Sequence, residues 1–185
     1  MEGVRGIVVF DTGPVLHFVA QGWLGILRLV VQERSLVVPV SVERELRDLG
    51  SPHLLLASGT NPFSVDRRND AAYLAAFARY EGRLVAGGKN RGECGVLALG
   101  AVMARQQRDD YILVIDDRMA RNLAQEDDLH FTTTLALLID AIKLGLLTVD
   151  LVEALADDLL SGDYYLPFGP GGFRRWAIEE GHLDY

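Results

Sequence analysis

Carboxylates stand in this sequence at places where a carboxylate is costly. "GIVVF" (6–10) is a short, apolar, β-branched run, and it ends in Asp11. "YILVI" (111–115) is a second such run, and it ends in Asp116 and Asp117. Glu45 borders an apolar stripe of Val42, Leu46 and Leu49 at helical spacing, while Glu43 points further from it and reads as an exposed helix residue. Glu93 follows "KNRG" at the start of a helical stretch. Each residue has an ordinary reading. Asp11 fits a turn or cap, with Thr12 and Pro14 opening a helix. Asn90 and Glu93 fit a capping box. One of Asp116 and Asp117 fits an N-cap. Together they fit less easily, because acids crowded into one cleft repel one another and raise each other's pKa. A cation relieves that repulsion. An all-oxygen donor set suits Mg2+ or Mn2+ rather than zinc. The commonest use of such a cluster is phosphodiester hydrolysis.

The elements that must position these acids alternate in type. The pattern predicts strands at 6–10, 36–38 and 111–115, with shorter ones near "FSV" (63–65) and "HF" (130–131). Helices are predicted over 14–20, 23–32, 39–49, 70–80, 93–105, 118–126, 133–144 and 148–160. Asp70 and Thr148 read as N-caps, and Gly50 and Gly145 as stops. Residues 51–62 and 86–92 read as loops. Alternation of this kind predicts a mainly parallel sheet covered on both faces. In open parallel sheets, sites form beyond the carboxyl ends of the strands, where Asp11 and Asp116/Asp117 fall. Residues 1–150 read as one α/β domain. Residues 151–185 read as a C-terminal helix and a Gly/Pro/aromatic appendage.

Bulk composition narrows the function classes. The 185 residues carry 49% hydrophobic and 24% charged side chains, an ordinary globular balance. The net charge of −8 argues against a broad basic surface that coats nucleic acid, but not against a local metal-loaded site. A single cysteine, Cys94, excludes a disulfide framework within the chain and fits a reducing cytosol. "LALLIDAIKLGLL" is interrupted by Asp140 and Lys143 and is too short to span a bilayer. A soluble cytoplasmic protein is expected.

The order of motifs resembles a PIN domain, and in particular a VapC-like toxin ribonuclease. The resemblance runs from about Gly6 to Leu147. It rests on "VVFDTG", "VPVSVERELRDLG", "RGECGVLALG", "VIDDRMARNLA" and "FTTTLALLIDAIKLGLLT". It implies a three-layer α/β/α sandwich and a Mg2+- or Mn2+-dependent endoribonuclease. The family's acidic quartet falls on Asp11, Glu45, Glu93 and Asp117, with Asp116 competing for the fourth place. Asp11, Glu93 and Asp116 or Asp117 would carry the metal. Thr12 would position water or a ligand. The resemblance also implies a homodimer and a small antitoxin that blocks the cleft. Independently of the resemblance, Arg91 and Arg118 lie beside the proposed acids and are the candidates to meet RNA phosphates. The chain departs from the pattern at Gly95, where relatives often carry a second acid, and at Thr133, where a glycine is usual.

Other residues are weighed on the same terms. Arg67/Arg68, Lys89/Arg91, Arg118/Arg121 and Arg174/Arg175 form short basic groups, each most simply solvated surface charge. Cys94 and His17 read as packing residues. Trp176 reads as an anchor for the tail, or as a stacking surface for an RNA base. A haloacid-dehalogenase-like phosphatase shares the look of "VVFDTG" but needs an aspartate where this chain has Gly13. A PIN fold used as a binding module, without turnover, is the alternative from another class.

Overall fold

A computed structural model describes residues 6–50, 63–85 and 90–184. The loop readings at 51–62 and 86–89, with His53 and Lys89, lie outside the described residues. Strand β1 (Ile7–Phe10) leads into α1 (Thr12–Ala20) and α2 (Leu24–Val31). β2 (Ser35–Pro39) runs directly into α3 (Val40–Asp48). β3 (Phe63–Asp66), α4 (Ala71–Leu84) and α5 (Arg91–Arg105) follow. Then come β4 (Tyr111–Val114), α6 (Arg118–Glu126), β5 (Phe131–Thr132) and α7 (Thr134–Lys143). The chain closes with α8 (Val149–Ser161) and α9 (Phe173–Glu179).

The strands form one parallel sheet in the order β3-β2-β1-β4-β5. The direction in which successive strands are added across the sheet reverses between β1 and β4. Right-handed crossovers on the two sides of that reversal place their helices on opposite faces, which makes the fold a three-layer α/β/α sandwich. Val8, Val9 and Phe10 of β1, and Leu113 and Val114 of β4, are fully buried, as strands covered on both faces require. β1 lies between β2 and β4, with Phe10 level with Val114. Asp11 and Asp116 therefore emerge from the same edge of the sheet, on either side of the point where the strand order reverses.

The caps predicted at Asp70 and Thr148 form, and Thr133, predicted as the first residue of a helix, caps α7 instead. Asp70 accepts a bond from the Tyr73 amide (3.0 Å), Thr133 from Ala136 (3.1 Å) and Thr148 from Leu151 (3.2 Å). Gly50 and Gly145, both with left-handed φ near +70°, end α3 and α7. The departure at Thr133 is absorbed by this capping role, because its backbone is extended and needs no glycine. Among the described residues, no helix is long and apolar enough to cross a membrane.

Two local readings are corrected. Asn90 does not form a capping box with Glu93. Its backbone is left-handed (φ +66°), and its side-chain amide donates instead to the Leu84 carbonyl at the end of α4. Glu43 is not an exposed helix residue but is 4% exposed. Arg67, directly after β3, donates two bonds to it (2.7 and 2.9 Å), and Arg47 stands 3.6 Å away one turn along α3. The pairing of β2 with β3 brings Asp66 level with Pro39, so Arg67 arrives beside the first turn of α3. A buried carboxylate keeps its charge when a guanidinium meets it in this bidentate way.

The C-terminal segment shares the core. Val152, Leu155 and Ala156 of α8, and Phe173 and Ala177 of α9, are fully buried in the same cluster as the sheet residues. Trp176 packs against Phe168 (5.2 Å between ring centres) and His182 (5.1 Å), which favours the anchor reading. Arg174 pairs with Asp150, and Arg175 with Glu179.

Candidate active site

Asp11 is held where the buried β1 strand ends, and it is 5% exposed. Its Oδ1 is buried and has no hydrogen-bond partner among the described residues. Thr12, the next residue, donates its hydroxyl to Glu45 Oε2 at 2.6 Å. The other oxygen of Glu45 accepts the Gly92 amide at 2.8 Å, which ties α3 to the first turn of α5. Asp11, Thr12 and Glu45 thus surround Gly92. A Cβ on residue 92 would lie 2.5 Å from Thr12 Oγ1, 2.6 Å from Glu45 Oε2 and 2.8 Å from Asp11 Oδ1. Three oxygens from two elements converge on a point that glycine leaves open.

The next residue in α5, Glu93, faces the same acids. Burial, with repulsion from Glu45 and Asp117, pushes its pKa up to about 7, although its own backbone amide opposes the rise. Burial also raises the Asp11 pKa well above the usual carboxylate range. Repulsion from Glu93, Glu45 and Asp116 adds to that shift, and the Thr12 backbone amide opposes it. These mutual shifts place Asp11, Glu45, Glu93, Asp116 and Asp117 in one electrostatic cluster.

The two aspartates after β4 are held differently. Asp116 accepts the Thr134 amide on Oδ1 (2.9 Å). Its Oδ2 accepts the Thr134 hydroxyl (2.6 Å) and the Tyr164 hydroxyl. It therefore docks the start of α7 and the chain beyond α8 onto the end of β4. Asp117 caps α6, its Oδ1 accepting the Ala120 amide at 2.7 Å. Its other oxygen has no hydrogen bond among the described residues.

The proposed phosphate contacts divide. Arg118 is exposed and makes no ion pair among the described residues. Arg91 turns toward α4 and pairs with Glu81 (3.0 Å) over the Phe77 ring. Gly95 leaves no room for a second acid, because a Cβ there would stand 1.9 Å from Ser41 Oγ. Cys94 is fully buried, and burial pushes its thiol up to about 12, so it packs and does not react. His17 packs edge-on against Tyr164 (4.9 Å).

Tyr164 and Gly92 escaped the sequence reading. Tyr164 lies 48 residues beyond Asp116, in a tail with no periodic signal. Gly92 gave a usable signal: a glycine in the first turn of a helix, one residue before a candidate acid, marks a close approach.

Among the described residues, no three acidic, histidine or cysteine side chains already stand at the spacing of a closed metal cage. The donors nonetheless fit a hard divalent cation. They are oxygen-only, mutually repelling, and include a buried oxygen without a partner. A search of curated proteins found no match. A family model described as a PIN domain matches residues 7–168, past the Leu147 at which the motifs of the sequence end. PIN domains are generally nucleases and typically use divalent metals. With the parallel sheet, the reversal between β1 and β4 and the acids at that edge, this match over most of the chain shows that it belongs to the PIN domain family.

Proposed function

We propose that this protein is a metal-dependent endoribonuclease that hydrolyses RNA phosphodiester bonds, and that it is the toxin of a toxin–antitoxin pair. One observation carries the nuclease reading: Asp11 Oδ1 is buried without a partner, beside Glu45 and Thr12, at a point kept open by Gly92. Leaving a charged oxygen this way costs several kcal/mol unless a cation meets it, by the general scale for buried ions. Asp11, Glu93 and Asp117 would hold Mg2+ or Mn2+, and Asp117 is preferred to Asp116 because one of its oxygens is free of the chain. The chemistry such a cation supplies is a lowered water pKa and neutralisation of charge at phosphorus.

The chain's own residues do the positioning. Thr12 and the Gly92 amide fix both oxygens of Glu45, so its carboxylate is oriented before substrate arrives. Burial and the neighbouring acids push the Glu93 pKa up to about 7, and a bound cation would keep its carboxylate ionised as a ligand. Arg118 is free to meet a phosphate of the substrate. The toxin role is supported by the motif order, which resembles VapC-like ribonucleases, and it brings with it a homodimer and a small antitoxin partner in the cytoplasm.

The test is cleavage of mixed structured and unstructured RNA by native protein with Mn2+, with EDTA, and by Asp11→Asn. Cleavage that needs both metal and Asp11 is expected. Equal cleavage by Asp11→Asn in a clean preparation would sink the assignment. A PIN-fold binding module is the second reading, favoured by the lack of room for an acid at Gly95. It predicts metal and RNA binding without turnover.

A further inference from the structure

A groove of about 350 Å3 opens beside the acids, between α6, α7 and the chain beyond α8. That volume lies in the range of small-ligand clefts, ~300–1,000 Å3. Of the five clustered acids Asp116 alone lines it, beside Thr133 and Thr134. Arg121 and Lys143 line it from α6 and α7, and Tyr165 and Trp176 from the C-terminal segment.

The lining is unusual for a chain of net charge −8. Arg121 and Lys143 make no ion pair among the described residues, whereas Arg174 and Arg175 of the C-terminal segment are both paired. Tyr165 is 88% exposed, yet Tyr164 and Leu166 on either side of it are buried. The backbone is thus anchored on both sides while the ring stays outside. An aromatic ring presented from a fixed backbone, with cations nearby, is the chemistry that captures unstacked bases. Trp176, packed by Phe168, Phe173 and His182, forms a firm wall. Asp140, also on the rim, repels a second phosphate and can accept base N–H groups.

We infer that this groove is a nucleotide subsite for single-stranded RNA. It takes one nucleotide flanking the cleaved bond, its base against Tyr165 and its phosphate toward Arg121 and Lys143. This inference rests on the nuclease reading, since Asp116 joins the groove to the acids. A protein segment filling the groove is the competing occupant. The unpaired cations and the exposed Tyr165 ring, at a groove that reaches the β4 end through Asp116, favour RNA.

The test measures binding and turnover separately. A short fluorescent single-stranded RNA of mixed sequence is titrated onto Asp11→Asn, with and without Tyr165→Ala or the pair Arg121→Gln/Lys143→Gln. The same substitutions are placed in the native chain for steady-state cleavage, and melting checks that each variant folds. Affinity about tenfold weaker is expected, by the usual loss of one stacked base. KM should rise by the same factor, with kcat changed less than about twofold. Unchanged affinity and unchanged KM while the native chain still cleaves would overturn the subsite and leave the nuclease standing. Loss of RNA binding through Tyr165 in a chain that never cleaves would support the subsite and remove the nuclease. RNA binding by no variant would overturn the subsite and leave the groove to a protein partner.

Discussion

Two neighbouring parallel strands end in an acid, and the two acids do opposite things. β1 delivers Asp11 into a buried position where Oδ1 meets no donor from the chain. β4 delivers Asp116 to the same edge, where the Thr134 amide, the Thr134 hydroxyl and the Tyr164 hydroxyl satisfy both oxygens. The sequence signal is the same: a β-branched run, then aspartate. The difference lies in what later parts of the chain bring to each. Asp116 receives α7 and the C-terminal segment and becomes a joint between them. From the later parts of the chain Asp11 receives only other acids, so its Oδ1 is left for something outside the chain. A strand-end carboxylate is thus a position of high electrostatic cost, and its partners decide whether that cost is met by folding or by binding.

The sharpest test of the contrast exchanges each acid for its amide. Asp11→Asn should lose RNA cleavage by at least about a hundredfold, as removal of a metal-holding group does. Its stability at neutral pH should hold or rise, because the raised pKa of Asp11 means its ionised form opposes folding. Asp116→Asn should do the reverse, losing about 1–3 kcal/mol as its donors are mismatched while keeping most of the cleavage. Melting and initial rates on both variants decide it. Cleavage lost in Asp116→Asn at an unchanged melting temperature would move the fourth metal position to Asp116.

Gly92→Ala sharpens the Asp11 side. The added methyl would occupy the point on which Asp11, Thr12 and Glu45 converge. Cleavage should fall by about tenfold or more, and the crowding should cost about 1–3 kcal/mol of stability, partly offset because alanine is the better helix former. Full activity would show that those oxygens need not converge. On the Asp116 side, Tyr164→Phe removes one donor and should cost about 1 kcal/mol in denaturant melts. A change in m instead of midpoint would mean that the whole C-terminal segment had come loose.

The smallest expected effect is the pH dependence. Glu93 titrates near 7 in the folded protein, against an ordinary value of 4.5. A raised acid favours folding while it is protonated. Its contribution is therefore full below about 4.5 and is lost as pH rises through about 7. In EDTA, the melting temperature of native protein minus that of Glu93→Gln should fall across this window. Adding Mn2+ at pH 8 should reverse the sign. A flat difference in both conditions would remove Glu93 from the acid cluster.

Much of this molecule was written locally. The alternation of β-branched runs with 3.6-residue stripes determined the parallel sheet and its helices, because each element must bury one face or two. The caps at Asp70, Thr133 and Thr148 follow from side chains that reach their own helix start, within three residues. The candidate acids were legible for the same reason: a carboxylate at the end of an apolar strand conflicts with burial in any fold. What the sequence could not determine was which conflicts the rest of the chain would resolve. Glu43 meets Arg67 across 24 residues, through the pairing of β2 with β3. Asp116 meets Tyr164 across 48, through the docking of the C-terminal segment. Asp11 meets neither kind of partner. Electrostatic satisfaction acts through space over a few ångströms, so only the tertiary structure could decide which carboxylate was left buried, unpartnered and available.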